Sequence, residues 1–125
     1  MPHIHLEYSD NLKDFHSQPI LLGLNQALFA TGHVQVATDI KSRAICQSDY
    51  LIGFGESNQA YVHVKVSLLS GRDITTKTEI SNQLLLALQQ LLPKQTHLTV
   101  QLCVEILEME TAFYGKTVVV PSSVT

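Results

Sequence analysis

The spacing of apolar residues along the chain changes from two to three-and-four and back to two, and then the same change repeats. Residues 3–8 are short and strand-like, and Asp10-Asn11 follows as a turn. From Pro19 to Gly32 the pattern is helical: Leu21, Leu24 and Leu28 share a face, Pro19 suits a first turn and Gly32 a stop. Ile40, Ser42, Ala44 and Cys46 then alternate with Lys41, Arg43, Ile45 and Gln47, a second strand with Lys41 and Arg43 on one face. The polar, Gly-rich stretch from Gly53 to Gln59 reads as a loop. Tyr61 to Leu68 alternates again, with Val62, Val64, Val66 and Leu68 on one face, and Gly71-Arg72-Asp73 turns the chain. The spacing predicts a second helix from about Thr75 to Leu92, with Ile80, Leu84, Leu88 and Leu91 inward; Thr76 and Glu79 have capping-box spacing and Pro93 ends it. Leu98, Val100, Leu102, Val104 and Ile106 form one face of a fourth strand. The tail from Phe113 to Val120 is apolar and has no partner strand within its own repeat.

The order is therefore βαβ twice, and His3 to Ser9 lies over Tyr61 to Ser67 at an offset of 58. Identity between the halves is low, so the repeat is one of pattern. Two right-handed βαβ units in one sheet predict an α/β (α+β) fold, with four strands and both helices on one face. The boundaries are 2–48 for the first unit, 60–108 for the second and 109–125 for a tail, all within a single domain, 1–125. The other face of such a sheet needs a cover, and the large candidate is another subunit.

Composition sharpens that expectation. Charged residues are 15% against 45% apolar, a low charge for a small monomer, which points to surface buried between subunits. The net charge of −3 argues against a general nucleic-acid binder. No apolar run reaches the length of a membrane span, and the N-terminus lacks the basic and apolar regions of a signal peptide. Cys46 and Cys103 match no metal spacing and are expected to be buried, reduced thiols of a cytoplasmic protein. No metal or organic cofactor is expected.

Candidate chemistry centres on Pro2. A small residue after the initiator Met normally permits removal of that Met, which would leave an N-terminal proline with a free secondary amine. Such an amine is a base in a rigid ring, able to work near neutral pH if its surroundings lower its pKa. A cation about 8 Å away at an effective dielectric of about 20 disfavours the ammonium by about 2 kcal/mol. Lys41, Arg43 or Arg72 could supply this charge, bind substrate carboxylates and stabilise charge building on an enolate oxygen. Each has a plain structural alternative: Arg43 could pair only with a carboxylate on a neighbouring strand, and an arginine in a turn, as Arg72 is, is often merely solvated. His3 and His5 have H-x-H spacing but no third metal ligand in view, so a structural role is expected. His63 alternates with core valines and is expected to face outward.

Two βαβ units, an N-terminal proline and Ile40-Lys41-Ser42-Arg43 together resemble the tautomerase superfamily, and within it the 5-carboxymethyl-2-hydroxymuconate isomerases. The resemblance rests on Met1 to Asn11, Ala30-Thr31-Gly32, the strand through Arg43, Tyr61-Val62-His63 and Gly71-Arg72, and runs from Met1 to about Glu108. It implies a homotrimer that ketonises carboxylated dienols in the breakdown of aromatic compounds such as homoprotocatechuate. It also implies Pro2 as proton shuttle, Arg72 as a substrate-binding cation, and Lys41 where an arginine is typical. Lysine keeps the charge but loses the bidentate fork that suits a carboxylate, which bears on substrate identity more than on reaction type. A tautomerase for another 2-oxo acid, or a non-catalytic trimeric module of the same fold, are the alternatives.

Overall fold

A computed structural model describes residues 1–122 of the chain. The alternating segments pair as β1 (His3–Ser9), β2 (Lys41–Gln47), β3 (Gln59–Leu69) and β4 (Thr99–Met109), and the two helical patterns form α1 (Ser17–Ala30) and α2 (Ile74–Leu91). The sheet order is β2-β1-β3-β4. Within each half the strands run parallel, as a βαβ unit requires, and the halves join through antiparallel β1 and β3. The 58-residue offset holds in space: residues 3 and 61 open β1 and the alternating part of β3, and residues 41 and 99 open β2 and β4.

Both helices lie on one face. Ile4 and Leu6 of β1 and Val62, Val64, Val66 and Leu68 of β3 point into the core, where they meet Leu24 and Leu28 of α1 and Ile80, Leu84 and Leu88 of α2, all essentially inaccessible to solvent. Each such side chain contributes about 1.5–3 kcal/mol by leaving water. The alternate residues of the strands face away from the helices. Registered rows cross that open face: Lys41, His3, Ser67 and Leu107 in one, and Arg43, His5, Lys65 and Glu105 in the next.

Element boundaries differ from the sequence expectation by one to three residues. One difference has a chemical cause. The N-cap of α2 is Asp73, whose carboxylate accepts from the Thr76 backbone N–H at 2.8 Å, so Thr76 is inside the first turn and does not cap it. Aspartate outcompetes threonine here because an ionised oxygen makes the stronger bond to an orphan N–H and suits the positive end of the helix. Gly71 just before it has φ +117°, a conformation that side-chain-bearing residues rarely adopt. Gly32, with φ +82°, does the same after α1.

The cysteines also depart from expectation. Both are free, but both are exposed in the single chain. Cys103 lies on the open face, in the register row of His63, and Cys46 lies on the edge strand β2. The tail forms a short 3-10 turn (Thr111–Phe113) and then runs without regular structure to residue 122; Val118, Val119 and Val120 are 73%, 88% and 72% exposed, so the tail pairs with no strand of its own chain. Residues 123–125, which the expected tail includes, lie outside the described residues.

The cap assignment makes a measurable distinction. Asp73→Ala should lower unfolding stability by about 1 kcal/mol. Thr76→Ala, which removes no capping oxygen, should cost clearly less. Urea denaturation of both variants checks this, and the reverse ranking would restore the capping box.

Candidate active site

Parallel pairing of β1 with β2 sets His3 opposite Lys41, and antiparallel pairing of β1 with β3 sets His3 opposite Ser67, close to the end of β3. The start of β1, the start of β2 and the turn after β3 therefore meet at one end of the sheet. Pro2, Lys41 and Arg72 come together there. Pro2 is fully buried, and its carbonyl accepts from the Lys41 backbone N–H at 3.2 Å, which extends the β1–β2 ladder by one residue. Arg72 is half-buried and donates to the carbonyls of Leu69 and His33, at 3.4 and 3.3 Å. Two carbonyl contacts from different segments hold the guanidinium in one orientation and leave further N–H groups unassigned. Lys41 donates through Nζ to the backbone carbonyl of Asp39.

The electrostatics of this end are legible from the chain's terminal amine. Burial, and then the positive charges of Arg72, Lys41 and Lys116, push its pKa below the usual 8.0, while Asp39 pulls the other way. Burial, followed by Lys116 and Arg43, also lowers the pKa of Lys41, with Asp39 again opposing. Burial and cations at this end of the sheet thus shift a terminal amine toward its neutral form.

Arg43 belongs to the same face but not to the same group. It sits one pleat further along β2, opposite His5, and is exposed. Its Nη2 donates to His3 Nδ1 at 2.6 Å. A guanidinium only donates, so Nδ1 is the acceptor, and His3 carries its proton on Nε2. That proton goes to Tyr114 Oη at 2.8 Å. The chain Arg43–His3–Tyr114 ties the open face to the C-terminal tail. Arg43 also lines a cleft of about 590 Å³ over the open face, with His5, Glu7, Ile45, Lys65, Ser67 and Leu107, and that cleft does not include Pro2, Lys41 or Arg72.

Two further histidines contact glutamates. His63 pairs with Glu105 at 2.8 Å on the open face, and His33 with Glu79 at 3.0 Å. Among the described residues no group of three or more His, Cys, Asp or Glu side chains is disposed to hold a metal ion. Ser9 is buried, and its hydroxyl accepts from the Tyr61 backbone N–H, a strand contact.

Three participants were not singled out from sequence: Asp39, Tyr114 and Lys116. Lys116 Nζ donates to Asp39 Oδ1 at 3.0 Å, and Tyr114 caps His3, so the tail crosses the end of the sheet at which the chain begins. The available signal was Lys116 itself, the single charge in the apolar segment Phe113 to Val120. A segment left over from a paired repeat has to run back across the molecule, but pattern alone does not say over which end.

The chain matches the family model described as 5-carboxymethyl-2-hydroxymuconate isomerase over residues 2–120. Among solved structures it is similar to a 5-carboxymethyl-2-hydroxymuconate isomerase from Deinococcus radiodurans R1, at 29% identity and a TM-score of 0.84, over 93% of this chain and 88% of that one. It is similar to a 5-carboxymethyl-2-hydroxymuconate delta-isomerase at 21% identity and a TM-score of 0.81, over 94% and 88% of the two chains. In fold alone it is similar to a fused 4-OT wild type symmetric trimer, at 16% identity and a TM-score of 0.64, over 85% of each chain. A comparison with curated proteins finds no match.

Burial, then Lys41, Arg43 and His5, push the His3 pKa below the usual 6.5. The unfolded chain takes up this proton near its ordinary value, whereas the folded chain holds it off to lower pH. Stability contributed by neutral His3 is thus complete above the unfolded pKa and is lost as pH falls through the interval down to the folded pKa. Urea midpoints followed from about pH 7.5 to about pH 5 should therefore fall more steeply for the wild type than for His3→Gln. Equal slopes would mean that folding does not lower the His3 pKa.

Proposed function

This chain belongs to the 5-carboxymethyl-2-hydroxymuconate isomerase family, and from that premise we propose that it ketonises a small carboxylated dienol such as 5-carboxymethyl-2-hydroxymuconate, with the Pro2 nitrogen as proton shuttle. It is an isomerase of the tautomerase superfamily. The observation that carries the finer reading is the cationic, partly desolvated setting of the chain's terminal amine.

With Met1 attached, the Pro2 nitrogen is an amide and has no basicity. Removal of Met1 turns it into a secondary amine within the same field of Arg72, Lys41 and Lys116. The neutral amine takes the proton from the enol oxygen. The O–H electrons form the carbonyl π bond, and the displaced π electrons of the diene take a proton at the distal carbon from the ammonium just formed. The proline ends the cycle neutral. Arg72 holds a substrate carboxylate, and Lys41 supports the negative charge that builds on the 2-oxygen. Arg43, locked to His3, would reach substrate only where the open face of the sheet meets the pocket.

Oligomerisation follows from the same reasoning. Similar folds include fused 4-OT wild type symmetric trimers. We assign this chain a homotrimer, in which neighbouring copies cover the open face and the exposed Val118–Val120 segment adds strand to a neighbour. Edge pairing of this kind removes the unpaired strand edges that make an isolated sheet prone to aggregate. Free Cys46 and Cys103 suit a reducing cytoplasm.

A tautomerase for another 2-oxo acid is the second reading. Lys41 favours it, since an ammonium already engaged with the Asp39 carbonyl offers a carboxylate less than an arginine fork would.

The test is turnover of 2-hydroxymuconate-type dienols by protein beginning at Pro2, verified by intact mass, without added metal or nucleotide. An uncleaved extension before Pro2 should abolish the activity. Full turnover by an N-terminally blocked protein would overturn the proline mechanism.

Arg72→Ala should lower kcat/KM for a dicarboxylate by roughly 10- to 150-fold, the equivalent of about 1.5–3 kcal/mol for a charge-assisted hydrogen bond, and far less for a monocarboxylate enol. Equal losses on both substrates would mean that Arg72 is structural or binds the carboxylate they share.

A further inference from the structure

The first residues of the chain and the tail residues Tyr114 and Lys116 meet at the start of β1. Lys116 Nζ bonds Asp39 Oδ1 at 3.0 Å and lies 2.6 Å from Met1 Sδ. The ionisable groups whose charge reaches the terminal amine come from three segments: Asp39 and Lys41 around the start of β2, Arg72 after β3, and Lys116 on the tail. His3 on β1 faces the same space in its neutral form. Asp39 is the acid of the group, and it alone works against a neutral amine.

We propose that Lys116 is a positioning residue of the proton-transfer site, acting by occupying the Asp39 carboxylate that would otherwise pair with the terminal ammonium. The inference rests on the reading of Pro2 as the base. An ammonium tied to a carboxylate holds its proton and cannot accept one from an enol. Lys41 does not prevent this pairing, because its Nζ bonds the Asp39 backbone carbonyl and not the carboxylate. Lys116 bonds the carboxylate itself, and that bond is the main reason the Asp39 carboxyl stays ionised below its ordinary range. In a fixed Asp39–Lys116 pair the lysine holds the carboxylate and offsets part of its field at the amine. An unpaired Asp39 presents a full negative charge.

This role of Lys116 predicts a particular double-variant pattern. Lys116→Met should lower kcat/KM on the acid side, on the order of tenfold near pH 6 at low ionic strength, and leave the alkaline plateau near the wild-type value. The same change in an Asp39→Asn background should have a clearly smaller effect, because only the direct field of Lys116 at the amine is then lost. Lys116→Arg should keep the wild-type profile, which separates a charge effect from loss of the tail's fold. Two results would overturn the proposal. One is an acid-side loss of equal size in both backgrounds. The other is a rise in KM at every pH in both, which would make Lys116 a direct substrate contact.

A titration without substrate keeps this inference separate from the proposed function. With 15N-labelled proline, the terminal nitrogen of the Pro2-initiated protein should titrate at higher pH in Lys116→Met than in the wild type, and the shift should be clearly smaller in the Asp39→Asn pair. That result together with no turnover of any dienol would uphold the role of Lys116 and reject the substrate assignment. An unmoved nitrogen titration would reject the role even in an active enzyme.

Discussion

The antiparallel pairing of β1 with β3 is the constraint on which everything else depends. Each βαβ half is parallel within itself and would keep its strand starts together at one end. Joining the halves antiparallel brings the end of the third strand beside the start of the first. That geometry carries Arg72, which is about seventy residues away in sequence, to the end of the sheet where Pro2 and Lys41 lie. Val62, Val64 and Val66 make the pairing unambiguous. A slip of one residue would turn these fully buried side chains to the open face and bring His63 and Lys65 into the core.

The internal repeat sharpens the point by failing chemically where it succeeds geometrically. The residue of the second half that corresponds to Pro2 is Ala60, which lies inside β3 with chain on both sides. The residues corresponding to Lys41 and Arg43 are Thr99 and Gln101. One end of the pseudosymmetric sheet thus has the chain's first residues beside strand-borne cations, and the corresponding strand positions at the other end have no cation. A doubled fold leaves room for this asymmetry, since the second half can serve packing alone while the first bears the chemistry.

Much of this was legible in the sequence because it rests on local periodicity. Alternating valines and leucines at helical spacing specify four strands and two helices, and Lys41 and Arg43 share a face simply because they are two residues apart on a strand. The misses are of a different kind. The α2 cap turned on a competition between two neighbouring oxygens, Asp73 and Thr76, that spacing alone does not decide. The cysteines were expected inside because alternation does not reveal which strand lies at an edge or which face lacks helices. Asp39, Tyr114 and Lys116 escaped notice because their contacts join residues 77 and 111 positions apart, through a segment that has no period to read.

The tail has a dynamic consequence. Among the described residues, 115–122 make no backbone–backbone hydrogen bond, and that stretch is largely exposed. A segment held by a few side-chain contacts belongs to the low end of the local opening free-energy scale, far below the cost of unfolding the sheet. In a copy whose tail is unpaired with a neighbour, it can detach and return many times while the core stays intact. The charge balance around the chain's first residues would then be set by an opening equilibrium of the last ones, so amide exchange in the tail and proton affinity at the opposite terminus become two readouts of one motion.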